Sequence, residues 1–316
     1  IGTGSSAAQF IPEIQPRVGE LLVFQRTPGW TFPRMNRRIT GLERAIYRRL
    51  PVVQRAVRTR QYLYRELVGF CVQHPGIIEP ISKARMRAQV RDPELRAKLT
   101  PNYRMGCKRI IVTDDFHRAL AKANVSVITS PITEIGPAWI RTDDGARYEI
   151  DTLILGTGFQ VMPVADPLTG RDGQALARRW SARREAYLGT TVAGYPNYFM
   201  LVGPNTATGH TSVLLYLEGQ IEYIVQALGH MERTGARSLT VRPDVQAEFN
   251  QDVRDRLAQS VWTDGGCRSW YLDPDGGTSV LWPGYTWRFR KAIRTFDPTD
   301  YEFAVAPTVE PSAVAS

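Results

Sequence analysis

The sequence predicts an α/β fold in which a Rossmann-type, doubly wound sheet carries a helical insertion. Three observations lead to this class. The chain opens on a glycine-rich stretch, IGTGSSAAQF, short apolar segments then alternate with amphipathic ones, and a basic stretch at about 34–105 has helical periodicity. With 316 residues, 43% of them hydrophobic and 22% charged, the chain is long enough for one large domain or two smaller ones.

The opening stretch is typical of a dinucleotide-binding loop. Gly2, Gly4 and Ala7 match G-x-G-x-x-[G/A], in which the pyrophosphate lies at the N-terminus of the helix that follows. Pro12 predicts that this first helix is irregular. Since only Ile1 precedes the loop, we expect Ile1 to end a strand that lies upstream, and the chain to be a fragment of a longer protein.

The next segment, ELLVFQRTP, indicates which dinucleotide binds. Its apolar run Leu21–Phe24 predicts a buried parallel strand that ends about 20 residues after the glycines. An NAD-specific fold carries an acid at that point, to bond the ribose hydroxyl. This chain has Gln25, Arg26 and Thr27 instead, and an arginine beside a hydroxyl suits the additional phosphate of NADP.

Further elements are predicted in order. Helices follow Pro33 for some 65 residues, with Pro51 in a first helical turn and with Pro75, Pro80 and Pro93 separating later helices. Strands are expected at about 109–113, in VSVIT and in DTLILGTGF, together with a hairpin that turns at Asp144-Gly145 and a helix capped by Asp114.

The second half begins with a domain change at about 158–167. A buried strand is expected in NYFMLVGPN, then a long helix capped by Thr211 or Ser212, and a helix over about 244–260. The last residues, 306–316, are small and interrupted by proline, which predicts a disordered tail.

Charge and cysteines limit the function classes. Residues 34–109 carry 19 basic and 5 acidic side chains, within a chain of net charge +9. We interpret this stretch as solvated helix faces beside a site for an anionic cofactor; the alternative is a non-catalytic module that binds nucleic acid. The apolar runs are too short for a membrane span. Cys71, Cys107 and Cys267 have no metal-ligand spacing, so we expect reduced thiols, no metal site and a cytoplasmic protein.

Several segments together resemble one family. GTGSSAAQF, VFQRTPGW, GCKR, DTLILGTGF, YPNYFMLVGPN and SWY are similar, in this order, to segments of the flavin-dependent Baeyer–Villiger monooxygenases of the hydroxyacetophenone and steroid type. That family has an FAD-binding domain interrupted by an NADP-binding domain. The resemblance implies that residues 1–157 form the NADP domain, with its helical insertion at about 34–105, and that 158–305 form the returning part of the FAD domain. The family's first glycine loop and its F-x-G-x-x-x-H-x-x-x-W/P fingerprint are absent from this sequence.

The resemblance also implies roles for individual residues. In the family the lysine of the KR pair helps to bind the NADP phosphate and the arginine supports a peroxyflavin, so these roles pass to Lys108 and to Arg109, the expected catalytic residue. Cys107 is interpreted as a packing residue. The expected FAD- and NADP-binding residues are Gly2, Thr3, Gly4, Ser5, Ser6, Ala7, Gln9, Arg26, Thr27, Lys108, Gly156, Thr157, Gly158, Phe159, Asn205 and Trp270.

The implied reaction is insertion of one oxygen atom from dioxygen next to a ketone carbonyl, which yields an ester or lactone. NADPH reduces FAD, and the reduced flavin forms a peroxide that attacks the carbonyl. The negative charge that develops favours a fixed cation beside the flavin. Oxygenation of nitrogen or sulfur by a related flavin enzyme remains an alternative. The expected partners are dioxygen and a small organic ketone or sulfide.

Overall fold

The computed structural model describes residues 1–34, 36–159 and 168–305. The chain divides into two compact units. Among the described residues, the first unit holds 1–159 with Gly265–Ser269, and the second holds 168–264 with 270–305. The tail expected at 306–316, and most of the domain change expected at 158–167, lie outside the described residues.

The first unit combines parallel strands with helices, as the sequence predicts, and has a run of four helices between its second and third strands. The strands are β1 (Leu21–Phe24), β2 (Thr31–Phe32), β3 (Ile111–Val112), β4 (Val125–Ile128), β5 (Ile132–Ile135), β6 (Trp139–Thr142) and β7 (Arg147–Glu149). The helices are α1 (Ala7–Ile14), α2 (Gly41–Arg49), α3 (Pro51–Gln73), α4 (Pro75–Gln89), α5 (Pro93–Leu99) and α6 (Phe116–Leu120).

The glycine loop begins beside the parallel strands, and Ile1 lies next to β1. β1 pairs with β4 in parallel, with Phe24 opposite Ile128. On the other side of β1, the Gly2 N–H donates to Phe24 O at 3.0 Å, and the Gly156 N–H donates to Ile1 O at 2.8 Å. Ile1 therefore has the backbone partners of a strand residue between β1 and the segment around Gly156.

The core of this unit forms where α1 packs on the parallel strands. Ala7, Ala8 and Ile11 are buried in one cluster with Val23 of β1 and Val127 of β4. Small residues at the start of α1 allow this close packing of helix on sheet.

Pro12 lies inside α1, and the helix ends two residues later at Ile14, where a short 3₁₀ turn (Gln15–Arg17) follows. A proline removes one intrahelical hydrogen bond, which accounts for a short and irregular first helix.

The helical insertion follows local sequence rules. Thr40 and Glu43 form a capping box at the start of α2. Pro51, Pro75 and Pro93 each occupy the first turn of a helix, where the missing N–H costs nothing. The expectation that Pro80 separates helices is wrong, because it lies inside α4, where Ile78 and Ser82 on either side of it are buried.

Two other expectations for the first unit are wrong. Residues 152–159 form no assigned strand, and Leu153, Ile154 and Leu155 are 40–65% exposed, because the segment pairs with the chain only at Ile1. Asp114 does not cap α6: it forms an ion pair with Arg85 at 3.0 Å.

At the start of α6 the Thr113 hydroxyl, rather than the Asp114 side chain, accepts the Phe116 N–H. The predicted hairpin is confirmed, with β6 and β7 antiparallel and Gly145 in a left-handed conformation at φ 82°.

The second unit has its own antiparallel pair and helices. Its elements are α7 (Leu176–Arg179), α8 (Leu214–Thr234), β8 (Ala236–Val241), α9 (Pro243–Ala258), α10 (Val261–Asp264), α11 (Thr286–Ala292) and β9 (Tyr301–Val305). β8 pairs with β9. The two long helices were predicted, but the residue that precedes α8 is Val213 rather than Thr211 or Ser212.

The strand expected in NYFMLVGPN is absent from the structure. Asn197, Val202 and Asn205 have φ of 57°, a left-handed backbone that a strand cannot contain. Asn197 instead ties this segment to β8, since its side chain donates to Arg237 O and accepts the Leu239 N–H.

The expectation of three reduced cysteines is also wrong. Cys107 and Cys267 form a disulfide across a sequence separation of 160 residues, and Cys71 is the free thiol. This pair could not be predicted from the sequence, because the spacing of cysteines along the chain does not show which of them meet in space. Close by, the Arg104 N–H donates to Gly265 O at 3.1 Å.

Candidate cofactor-binding site

The glycine loop lies at the carboxyl edge of the parallel strands. Gly2 has φ of 102°, and a Cβ there would lie 2.3 Å from Gly156 O, so glycine is required on two grounds. A Cβ on Gly4 would meet nothing within 4 Å, so open space borders the loop at this point. The glycine loop therefore leaves room for a ligand to approach its backbone closely.

The helix that follows presents amides to the same space. Its first hydrogen bonds run from the Ala8 N–H to Gly4 O at 3.0 Å and from the Phe10 N–H to Ser6 O at 3.1 Å. Amides that precede the first intrahelical bond point out of the helix end, where an anion is stabilised. The loop and α1 therefore suit a pyrophosphate, whose two charges these groups would bind.

The end of β1 lies beside this loop. The Thr3 hydroxyl donates to Thr27 O at 3.4 Å and connects the glycine loop to the residues after β1. Gln25 is buried, and its amide donates to Lys98 O at 2.8 Å, so it connects the end of β1 to α5. Arg26 is exposed and Thr27 is half-buried, which leaves their side chains for a ligand.

Lys108 and Arg26 are 82 positions apart in the sequence, but in the fold the charge of Arg26 acts on Lys108. Burial lowers the pKa of Lys108, and the nearby charge of Arg26 lowers it further. Within the described residues, neither cation has an acidic partner in the ion pairs that we find. Because neither cation has an acidic partner there, a phosphate dianion that binds at this place would be stabilised by both of them.

Tyr103 fixes the position of Lys108, a contact that the sequence did not indicate. The Lys108 ammonium lies 5.0 Å from the centre of the Tyr103 ring, a cation–π distance. Tyr103 OH donates to Pro28 O at 3.0 Å, and Trp30 Nε1 donates to Tyr103 O at 2.8 Å. Burial raises the pKa of this phenol to about 12, so it remains a neutral donor.

Arg109 follows Lys108 and is exposed, whereas Cys107 is fully buried in its disulfide. Gly106 precedes this pair with φ of 102°, a conformation that favours glycine. The disulfide and the bond from Arg104 to Gly265 attach this loop to residues 265–269. Cys107 is therefore a tethering residue, which excludes a thiolate nucleophile as long as the disulfide is intact.

Of the predicted residues at 156–159, Gly156 lies against the start of the glycine loop. A Cβ on Gly156 would lie 3.3 Å from Ile1 O, which places this glycine against the first residues of the chain. Gly158 has φ of 104°, and Phe159 is 90% exposed. Thr157 is exposed as well.

The remaining predicted residues lie in the second unit. Asn205 is buried, with its amide donating to Thr278 O at 3.2 Å and to Leu281 O at 3.0 Å, so both donor contacts are internal. Trp270 is 46% exposed and its ring lies 4.3 Å from that of Tyr271. A cofactor contact for either residue remains a prediction.

Two solved structures illustrate which known proteins have a similar fold. A steroid monooxygenase bound to NADP matches with a TM-score of 0.79 over 96% of this chain and 66% of that chain, at 23% identity. OTEMO, in complex with FAD and NADP, matches with a TM-score of 0.79 at 21% identity over the same shares of the two chains. The described chain therefore shares the Rossmann-type α/β fold of these two structures.

Sequence comparison finds relatives that are more similar to this chain than the two solved structures are. The chain is 43% identical over 309 residues to a Baeyer–Villiger monooxygenase of Streptomyces coelicolor, and 44% identical over 317 residues to one of Pseudomonas aeruginosa. These matches cover 96% and 97% of this chain. Over nearly its whole length the chain is therefore similar in sequence to Baeyer–Villiger monooxygenases.

The chain spans about 60% of the length of these two relatives. A search of family models gave no match. Among residues 1–34, 36–159 and 168–305, no helix combines the length and the apolar character needed to cross a membrane.

Proposed function

We propose that the full-length protein is an NADPH- and FAD-dependent monooxygenase that inserts one oxygen atom from dioxygen next to a ketone carbonyl, giving an ester or lactone. The observation that carries the proposal is that Tyr103 joins Lys108 to Pro28, two residues after Arg26, beside the glycine loop. Its support from relatives is the 43–44% identity to two Baeyer–Villiger monooxygenases.

In this proposal the first unit holds NADPH. Gly2, Gly4 and the first turn of α1 bind the pyrophosphate, while Thr3, Ser5, Ser6, Ala7 and Gln9 line the same loop. Lys108, Arg26 and Thr27 bind the additional phosphate, because two cations and a hydroxyl there match a dianion better than the ribose hydroxyl of NADH. Tyr103 is a positioning residue that holds the Lys108 ammonium.

FAD, when bound, supplies the activation of dioxygen. Arg109 is proposed as the catalytic cation, because its exposed guanidinium adjoins Lys108 and can stabilise negative charge on a reacting oxygen. Gly156, Thr157, Gly158, Phe159, Asn205 and Trp270 are proposed contacts of the cofactors. The organic substrate, a ketone or sulfide, and a cytoplasmic location belong to the same proposal.

The test compares cofactors and substrates on the full-length protein. NADPH consumption and oxygenated product are measured with a panel of ketones and a panel of sulfides, each with NADPH and with NADH. We expect esters or lactones from ketones, with NADPH strongly preferred. Sulfoxides from sulfides with no ester from any ketone would favour the heteroatom alternative, and consumption without any oxygenated product would overturn both.

A further inference from the structure

Helix α3 has apolar side chains on two opposite faces. Gly69 and Val72 are buried against the first unit. Leu67 and Phe70 each lie two positions earlier, about 200° away around the helix, and they are 59% and 40% exposed. The outer face is therefore apolar as well.

This outer face runs along most of α3. Val52 and Leu63 are 67% and 60% exposed, and Val52, Leu63, Leu67 and Phe70 are separated by 11, 4 and 3 positions. These separations are close to whole helical turns, so the four side chains form one stripe, which we call the α3 stripe. Leu63, Leu67 and Phe70 are about one turn apart, and Val52 lies three turns before Leu63. A row of exposed apolar side chains of this kind indicates an interaction surface.

Arginines border the α3 stripe on both sides. Arg55 and Arg60 lie three and eight positions after Val52, so that they flank the stripe, and both are exposed. Arg48 and Arg49 at the end of α2 are exposed too. In total, residues 41–73 hold seven arginines and two glutamates, a net charge of +5.

One of the two glutamates of this segment, Glu43, is already paired with an arginine outside it. Glu43 accepts two hydrogen bonds from the guanidinium of Arg37, at 2.6 and 2.9 Å, so Arg37 already neutralises its charge. The surface thus combines an apolar stripe with an excess of cations on its borders.

We propose that the α3 stripe and its flanking arginines bind the surface of an anionic lipid membrane. Charge complementarity selects this occupant. A second copy of the same face would bring arginines against arginines, which is unfavourable. Nucleic acid would pair with the arginines but leave the leucines and Phe70 in water, whereas a bilayer interface accommodates both kinds of side chain.

The geometry fits a helix that lies in the interface. α3 has 23 residues, but its charges exclude it as a membrane span. An amphipathic helix with arginines on its borders inserts its apolar side chains at the level of the headgroups. This inference does not depend on the oxygenation chemistry, since none of these residues contacts the candidate cofactor site.

The experiment measures partition of the full-length protein onto vesicles by co-sedimentation. Vesicles of phosphatidylcholine and phosphatidylglycerol in equal parts are compared with vesicles of phosphatidylcholine alone. We expect binding to the anionic vesicles that weakens as salt is added. The double variant Leu63→Gln/Leu67→Gln, and separately Arg55→Gln/Arg60→Gln, should each reduce partition by about ten- to thirtyfold.

The matched control changes an apolar pair elsewhere. Val225 and Leu228 of α8 are 62% and 49% exposed, and Val225→Gln/Leu228→Gln should leave partition unchanged. Circular dichroism confirms that each variant folds. The proposal is overturned if the protein ignores anionic vesicles, binds both vesicle types equally, loses partition in the α8 control, or loses nucleic-acid binding rather than vesicle binding in the α3 variants.

Discussion

Replacement of Lys108 by alanine tests the NADP phosphate site. The half-buried ammonium of Lys108 lies near the charge of Arg26, which disfavours its protonated form. A phosphate dianion between the two cations would reverse this effect, because each cation then gains an opposite charge. Lys108→Ala removes one of the two without disturbing Gly2 or Gly4.

The magnitude follows from the kind of contact. A hydrogen bond to a charged group contributes about 1.5–3 kcal/mol, and each 1.4 kcal/mol corresponds to about tenfold in affinity. Lys108 is only partly buried, so the lower end applies and kcat/KM for NADPH should fall about tenfold or somewhat more. NADH lacks the phosphate, so its kcat/KM should scarcely change.

The assay is steady-state kinetics of the full-length enzyme with both cofactors. Arg26→Ala should show the same selective loss, and Lys122→Ala serves as the control, because it removes an exposed lysine at the end of α6. Equal losses with NADPH and NADH would refute the phosphate assignment. So would an unchanged preference for NADPH in the Lys108→Ala/Arg26→Ala double variant.

Three further predictions concern single residues. The pKa of Lys108 lies below its ordinary value, so kcat/KM for NADPH should decline as pH rises toward that lowered pKa. Lys108→Arg should abolish this decline. Parallel alkaline pH profiles of the parent and the variant would contradict the assignment. Arg109→Ala should preserve flavin reduction by NADPH but divert oxygen to hydrogen peroxide, as measured by stopped-flow absorbance and product yield; product coupled as well as in the parent would remove Arg109 from the catalytic role. Burial, with a smaller effect of Arg85, lowers the pKa of His117 to about 4. The unfolded histidine binds a proton from about pH 6.5 downward, so its contribution to stability is present above that pH and is lost toward pH 4. Replacement by phenylalanine should remove about 2–3 kcal/mol of the difference between pH 7 and 4.5 in urea unfolding, and identical pH dependence in both proteins would contradict the assignment.

Local signals in the sequence predicted the elements that depend on neighbouring residues. The glycine loop, β1, β4 and the hairpin at Gly145 follow from turn chemistry and apolar runs, which act over a few positions. The helices after Pro51 and Pro93 follow from proline at a first turn in the same way.

Long-range partners decided the features that the sequence did not reveal. Asn197 and Asn205 hold left-handed turns through side-chain bonds to distant carbonyls, so an apolar run that resembles a strand folds otherwise. The Cys107–Cys267 disulfide joins residues 160 positions apart.

For the site, the motif identified Lys108 and Arg26 separately. Only the fold shows that Tyr103 lies against the lysine and joins it to Pro28, two residues after Arg26. The aromatic residue occurs five positions before Lys108, and that spacing alone does not predict a contact between them.

The most direct test of the proposed reaction follows the oxygen atom itself. The full-length enzyme is supplied with NADPH and a ketone under ¹⁸O₂, and the product is analysed by mass spectrometry. Insertion next to the carbonyl predicts an ester or lactone in which one oxygen, the one bound to the migrated carbon, is labelled. An unlabelled product, or ketone recovered intact while the label appears in hydrogen peroxide or in a sulfoxide formed from an added sulfide, would contradict the proposed function.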